Sequence, residues 1–95
     1  MVLYEKIQSD MYTAMKAGEK EKASTLRTVL AKLKDKQIDA REPLSEKDEI
    51  KVLQTLVKQR KESIDLYQKG GRAELAESES FELEIINTYL PEMMN

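Results

Sequence analysis

The charged side chains gather in two basic clusters, Lys32-Lys34-Lys36 and Lys58-Arg60-Lys61, and in a run of carboxylates at Glu77, Glu79, Glu82 and Glu84. Cations grouped along a helix make a footprint for a phosphate backbone. The same residues also serve as solvated helix faces that pair with neighbouring acids. Paired carboxylates move protons in acid–base catalysis or hold a hard cation, but a cation site of that kind is built on a ligand loop, and none accompanies these four residues.

Other chemistry is excluded by composition. The chain has 95 residues with no Cys, His or Trp. Without Cys there is no disulfide framework and no thiolate nucleophile. Without His and Cys most zinc and transition-metal sites are lost, as is the usual general base near neutral pH. Ser63 lies near Lys61, but no Ser-x-x-Lys or Gly-x-Ser-x-Gly pattern occurs. Gly70-Gly71 is a lone doublet and reads as a helix stop, not a phosphate loop. The expectation is a chain with no catalytic residue, no metal site and no cofactor of its own. Charge is unevenly spread: residues 16–72 hold fifteen basic and ten acidic groups, whereas residues 73–95 hold six acidic and none basic.

The elements that position these residues read as helices. Leu3, Ile7, Met11 and Ala14/Met15 recur at steps of three and four, predicting a helix over 2–17 closed by Gly18, with Met11 and Met15 as core filler. A second helix over 22–39 carries Leu26, Val29, Leu30, Leu33 and Ile38 on its stripe. Pro43 breaks the pattern. Ser45 followed by Asp48 resembles a capping box and opens a third helix over 46–68, striped by Ile50, Leu53, Leu56, Val57, Ile64 and Tyr67. Glu46, Asp48 and Glu49 suit the positive end of that helix. Gly70-Gly71 ends it. A fourth helix over 72–89 carries Leu75, Leu83, Ile86 and Tyr89/Leu90, and Leu90-Pro91 stops it. No strand pattern persists. The fold class is all-α, four helices in two antiparallel hairpins, with the second pair either aligned with the first or crossing it steeply.

Some charges fall on the apolar stripes. Arg60 follows Leu56 by four and Leu53 by seven, which puts it on the inward side of the third helix. Folding the chain about Gly70-Gly71 brings it level with Phe81, within reach of Glu79 or Glu82. The same construction about Gly18 sets Asp10 level with Arg27. Two ion pairs are expected, Arg60 with Glu79 or Glu82 and Asp10 with Arg27, acting as register pins or as a functional site.

Several motifs, in order, match a known family. Leu3-x-x-x-Ile7-x-x-Asp10-Met11-x-x-Ala14-Met15-Lys16, Leu26-Arg27, Lys58-Gln59-Arg60-Lys61-x-Ser63, Gly71-Arg72-x-Glu74-Leu75, Glu79-x-x-Glu82 and Tyr89-Leu90-Pro91 resemble the GatB/YqeY family, most closely its free-standing YqeY-like proteins. The resemblance implies kinship with the helical and tail region of the B subunit of the aspartyl/glutamyl-tRNA amidotransferase, whose tail engages tRNA. It also implies a carbon–nitrogen ligase activity with glutamine as amido donor, for which the residues here supply no catalytic group.

Residues 1–91 are therefore expected to form a GatB/YqeY-like N-terminal helical domain, 92–95 a frayed tail, and the family's second small helical domain is expected to be absent. The function expected is that of a non-catalytic accessory to tRNA-dependent amidotransfer or tRNA binding, with Lys32, Lys34, Lys36, Lys58, Arg60 and Lys61 on the phosphates. Its partners would be tRNA or an amidotransferase- or synthetase-related protein. The alternative is a protein-interaction module docking near Tyr89–Met94, with no nucleic acid. No apolar run approaches the roughly 20 residues that span a bilayer, and the opening residues do not read as a signal peptide. The expected location is the cytoplasm.

Overall fold

A computed structural model describes residues 1–91. Four helices follow one another: α1 Val2–Lys16, α2 Lys20–Ala40, α3 Glu46–Lys69 and α4 Ala73–Asn87. The fold is all-α, and no strand occurs among the described residues. The expected tail at 92–95 lies outside the described residues. Two compact units divide the chain, Met1–Val52 and residues 53 onward, with the boundary inside the unbroken helix α3.

In the first unit α1 packs on α2. Leu3, Ile7, Met11 and Ala14 are buried from α1, and Ala23, Leu26, Val29, Leu30 and Leu33 from α2. The turn between them is set by Gly18, at φ +77°. Its N–H donates to the Met15 carbonyl at 3.2 Å, and the Glu19 N–H reaches the Ala14 carbonyl at 2.9 Å. This double closure satisfies the last carbonyls of α1 and needs a left-handed residue at its centre. It is so tight that Glu19 already caps α2, which therefore begins at Lys20, two residues earlier than its polar start implies.

Helix α2 is six residues longer than α1. At 1.5 Å per residue it runs about 9 Å past the stripe it packs on. That explains Ile38, expected on the apolar stripe but 63% exposed. Arg41 ends α2 in the left-handed region, φ 59°, its N–H donating to the Gln37 carbonyl at 2.9 Å. Thr25 is buried and its Oγ1 donates back to the Glu21 carbonyl at 2.9 Å.

At the head of α3 the Ser45 Oγ accepts the Asp48 N–H at 3.1 Å. Glu49, read from sequence as one of three acids serving the dipole of α3, does something else. It is fully buried. Its Oε2 accepts the Tyr4 N–H at 2.8 Å and its Oε1 the Leu3 N–H at 3.3 Å. Met1 supplies no side-chain cap to α1, so a carboxylate from 45 residues downstream caps it instead. Negative charge there also meets the positive end of the α1 dipole.

In the second unit Leu53, Leu56 and Val57 of α3 are buried, with Ala76 and Ile86 of α4 and Leu90 beyond it. Gly71, at φ +72°, repeats the closure seen at Gly18: its N–H donates to the Gln68 carbonyl, and that of Arg72 to the Tyr67 carbonyl at 2.7 Å. The buried line of α4 runs Ala76, Leu83 (half-buried), Ile86 and Leu90, at steps of seven, three and four. Leu75, expected on that line, is one residue out of phase and 42% exposed. Helix α4 ends at Asn87, two residues before the expected Tyr89. Tighter bonds from Tyr89 N–H to Ile86 and from Leu90 N–H to Asn87 close its end, as suits a residue preceding Pro91.

Candidate nucleic-acid interface

The cluster Lys58-Arg60-Lys61 is divided by the helix that carries it. Lys58 and Lys61, three residues apart, share one side of α3 and are exposed. Arg60 follows Lys58 by two residues, about 200° around the axis. Its side chain is only 12% exposed and faces α4. Nη1 donates to the Leu56 carbonyl at 3.3 Å, and Nε lies 3.5 Å from Glu82 Oε2. Nε is buried and makes no hydrogen bond of its own, so the contact with Glu82 is a charge contact at slightly long range. Arg60 thus belongs to the α3–α4 contact, and the phosphate role expected for it has no free guanidinium behind it.

Sequence reasoning passed over Lys47 and Lys51. Both are exposed on α3. In the first unit Lys47 and Lys51, four apart, share one side of α3, as Lys58 and Lys61 do in the second. The signal was present in the spacing. It was hidden because a search for consecutive basic residues does not see a period of 3.6.

On α2, Lys32, Lys34 and Lys36 are all exposed. Lys32 and Lys36, four apart, share a face, and Lys34 lies across the helix from them. Lys34 lines an open hollow of about 320 Å³ with Gln37, Ile38, Arg41 and Pro43.

Of the other residues singled out by sequence, Arg27 is exposed and directs Nη2 to Met15 Sδ at 3.9 Å. Asp10 lies half-buried five residues earlier on α1. Glu79 is half-buried one turn before Glu82. Lys69 pairs with Asp65 within α3 at 2.9 Å, both side chains exposed. No group of three or more carboxylates is arranged to hold a metal ion among the described residues. In the alternative docking patch, Leu90 is buried and Tyr89 half-buried; Met93 and Met94 lie outside the described residues. No described helix is long and apolar enough to cross a membrane.

Comparison with known proteins adds a family. The family model described as Yqey-like protein matches residues 4–95. The altered inheritance of mitochondria protein 41, mitochondrial, of Eremothecium gossypii is 38% identical over 85 residues, covering 88% of this chain and 46% of that protein. Its counterpart in Vanderwaltozyma polyspora gives the same identity and the same coverage. An uncharacterized protein of Schizosaccharomyces pombe is 29% identical over 86 residues, covering 90% of this chain and 70% of that one. The chain spans about half the length of the first two relatives.

Proposed function

This chain belongs to the YqeY-like family, and on that premise we propose that it is a non-catalytic helical module that holds the phosphate backbone of tRNA, as an accessory to tRNA-dependent amidotransfer with glutamine as amido donor. The observation that carries the reading is the exposed lysine face of α3, where Lys58 and Lys61 stand on the side away from the inward-turned Arg60. Supporting it are the excess of basic groups over residues 16–72 and the kinship with the amidotransferase B subunit that the ordered motifs imply. Lysine contacts of this kind position a nucleic acid without reading its sequence. The role is therefore one of holding tRNA for another component to act on. Both the cytoplasm and the mitochondrion contain tRNA, so the reading is compatible with either compartment.

The test is a titration of tRNA at two salt concentrations, with the Eremothecium relative run beside this chain. The proposal expects binding that weakens as log affinity against log salt, by roughly 0.7 to 0.9 per phosphate neutralised. It expects Lys58→Glu with Lys61→Glu to abolish that binding. Absence of binding at low salt, or binding that the double variant leaves intact, overturns the proposal.

A further inference from the structure

Met15, expected beside Met11 as core filler, does not reach the core. Ala14 takes the inward position in the last turn of α1, at 1% exposed. Met15 stands about 100° further around the axis and is 49% exposed. Met11, one turn earlier, is 8% exposed. Two thioethers four residues apart on one helix therefore meet different surroundings, one in the core and one open to solvent.

The open thioether has a partner. Arg27, an exposed residue of α2, directs Nη2 to Met15 Sδ at 3.9 Å. Both residues belong to the first unit, and the contact joins the last turn of α1 to the first half of α2. Thioether sulfur is a weak acceptor and the contact is long, so it holds little in the reduced chain. A sulfoxide is polar, and its oxygen accepts far more strongly than sulfur. Placed between the two groups, that oxygen fills the gap and takes the guanidinium N–H in a charge-assisted hydrogen bond. The methionine side chain is flexible. Exposed side chains change rotamer within nanoseconds, so an oxygen added from the solvent side swings round to Arg27.

We propose that Met15 is a reversible oxidation site that takes an oxygen atom from hydrogen peroxide, and that Arg27 holds the resulting sulfoxide. A lone pair of Sδ attacks one peroxide oxygen, and the S–O bond forms as the O–O bond breaks. The proton on the transferred oxygen passes to the departing hydroxide, which leaves as water. Sulfur loses two electrons and the peroxide gains them. The reverse step belongs to a thiol-dependent methionine sulfoxide reductase, to which an exposed side chain is accessible. A sulfoxide at Met11 would set a polar group in the core, whereas at Met15 it adds a bond between α1 and α2. The proposal uses none of the lysines of α3 and stands independently of the tRNA reading.

The test treats the chain with hydrogen peroxide, stops samples with catalase and reads tryptic peptides by tandem mass spectrometry. Residues 7–16 form one tryptic peptide that contains both Met11 and Met15, so fragment ions compare the two within one molecule. Met15 should oxidise about tenfold faster than Met11, or more. The oxidised parent should melt about 2–4 °C higher than the untreated chain. Arg27→Leu should oxidise at Met15 without that rise. Met15→Leu, treated in the same way, subtracts the effect of oxidation at Met1, Met93 and Met94. A sulfoxide reductase with dithiothreitol should restore both the mass and the melting temperature. Met15 and Arg27 are exposed, so the variants should keep the fold, and circular dichroism checks that they do. Equal rates at Met11 and Met15, a sulfoxide that the reductase cannot remove, or no rise in the oxidised parent overturns the proposal. So does a rise that Arg27→Leu retains.

Discussion

Glu49 and Tyr4 are joined by a 2.8 Å hydrogen bond from the Tyr4 backbone N–H to Glu49 Oε2, with Leu3 N–H on the other carboxylate oxygen at 3.3 Å. A fully buried carboxylate is costly to desolvate unless it is hydrogen-bonded. Here the two donors are the orphan amides of the first turn of α1, which would otherwise be unsatisfied. One side chain thus caps α1 and fixes the head of α3 to it. Glu49→Gln keeps an acceptor but loses the charge, and should lower stability by about 1–2 kcal/mol. Glu49→Ala leaves both donors and a void, and should cost about 2–4 kcal/mol. Urea unfolding followed by circular dichroism checks both. Equal stability of Glu49→Ala and the parent would mean that water replaces the cap without loss.

Arg60 and Glu82 should behave asymmetrically. Arg60 is mostly buried, whereas Glu82 is about a third exposed at 32%. Removing Glu82 strands a buried cation; removing Arg60 leaves a carboxylate that water can reach. Glu82→Leu is therefore expected to destabilise by about 1–3 kcal/mol, and Arg60→Met by less. The double variant Arg60→Met with Glu82→Leu should recover most of the loss. A double-mutant cycle in urea measures this. Additive losses would show that the two side chains act independently.

The helix ends predict opposite effects at similar backbone angles. Gly18 and Gly71 sit at φ +77° and +72° with open space where a Cβ would go. Alanine at either should cost about 1 kcal/mol through backbone strain alone. Arg41 holds φ 59° with a Cβ already in place. Arg41→Gly should raise stability by about 0.5–1 kcal/mol, the relieved strain exceeding the added freedom of the unfolded chain. Melting temperatures of the three variants test the set. A loss at Arg41→Gly would mean that its side chain makes a contact worth more than the strain.

The lysines of α3 should separate from Arg60 in tRNA binding. Lys58→Ala and Lys61→Ala should each reduce the salt slope by about one and weaken binding uniformly across tRNA species. Arg60→Met should change the melting temperature and leave the salt slope as it was, since its guanidinium faces Glu82. A salt slope that falls with Arg60→Met would return that residue to the phosphate face.

Much of the architecture was written in local patterns. Apolar residues at steps of three and four marked α1 and most of α2 and α3, and Gly18, Pro43 and Gly70-Gly71 marked the breaks between them. The Arg60–Glu82 contact could be reached by folding the chain about a glycine turn, because helix rise and periodicity are the same in every sequence. In α4 the pattern pointed at Leu75, one residue off the true line. Its place is taken by Ala76, whose small side chain gives a hydropathy pattern little to detect.

Helical content, the positions of the turns and the absence of Cys, His and Trp side chains are all readable along the chain. Those follow from residue types and short-range spacing. Only the packing of α1 against the head of α3 shows that Glu49 turns inward. Glu49 looks like any acid of a first helical turn until α1 is brought against it and two backbone amides arrive from 45 residues away. Arg60 and Lys58 belong to one basic run that the helical repeat already divides by about 200°; what the structure adds is that Arg60 meets Glu82, where the spacing left Glu79 and Glu82 open.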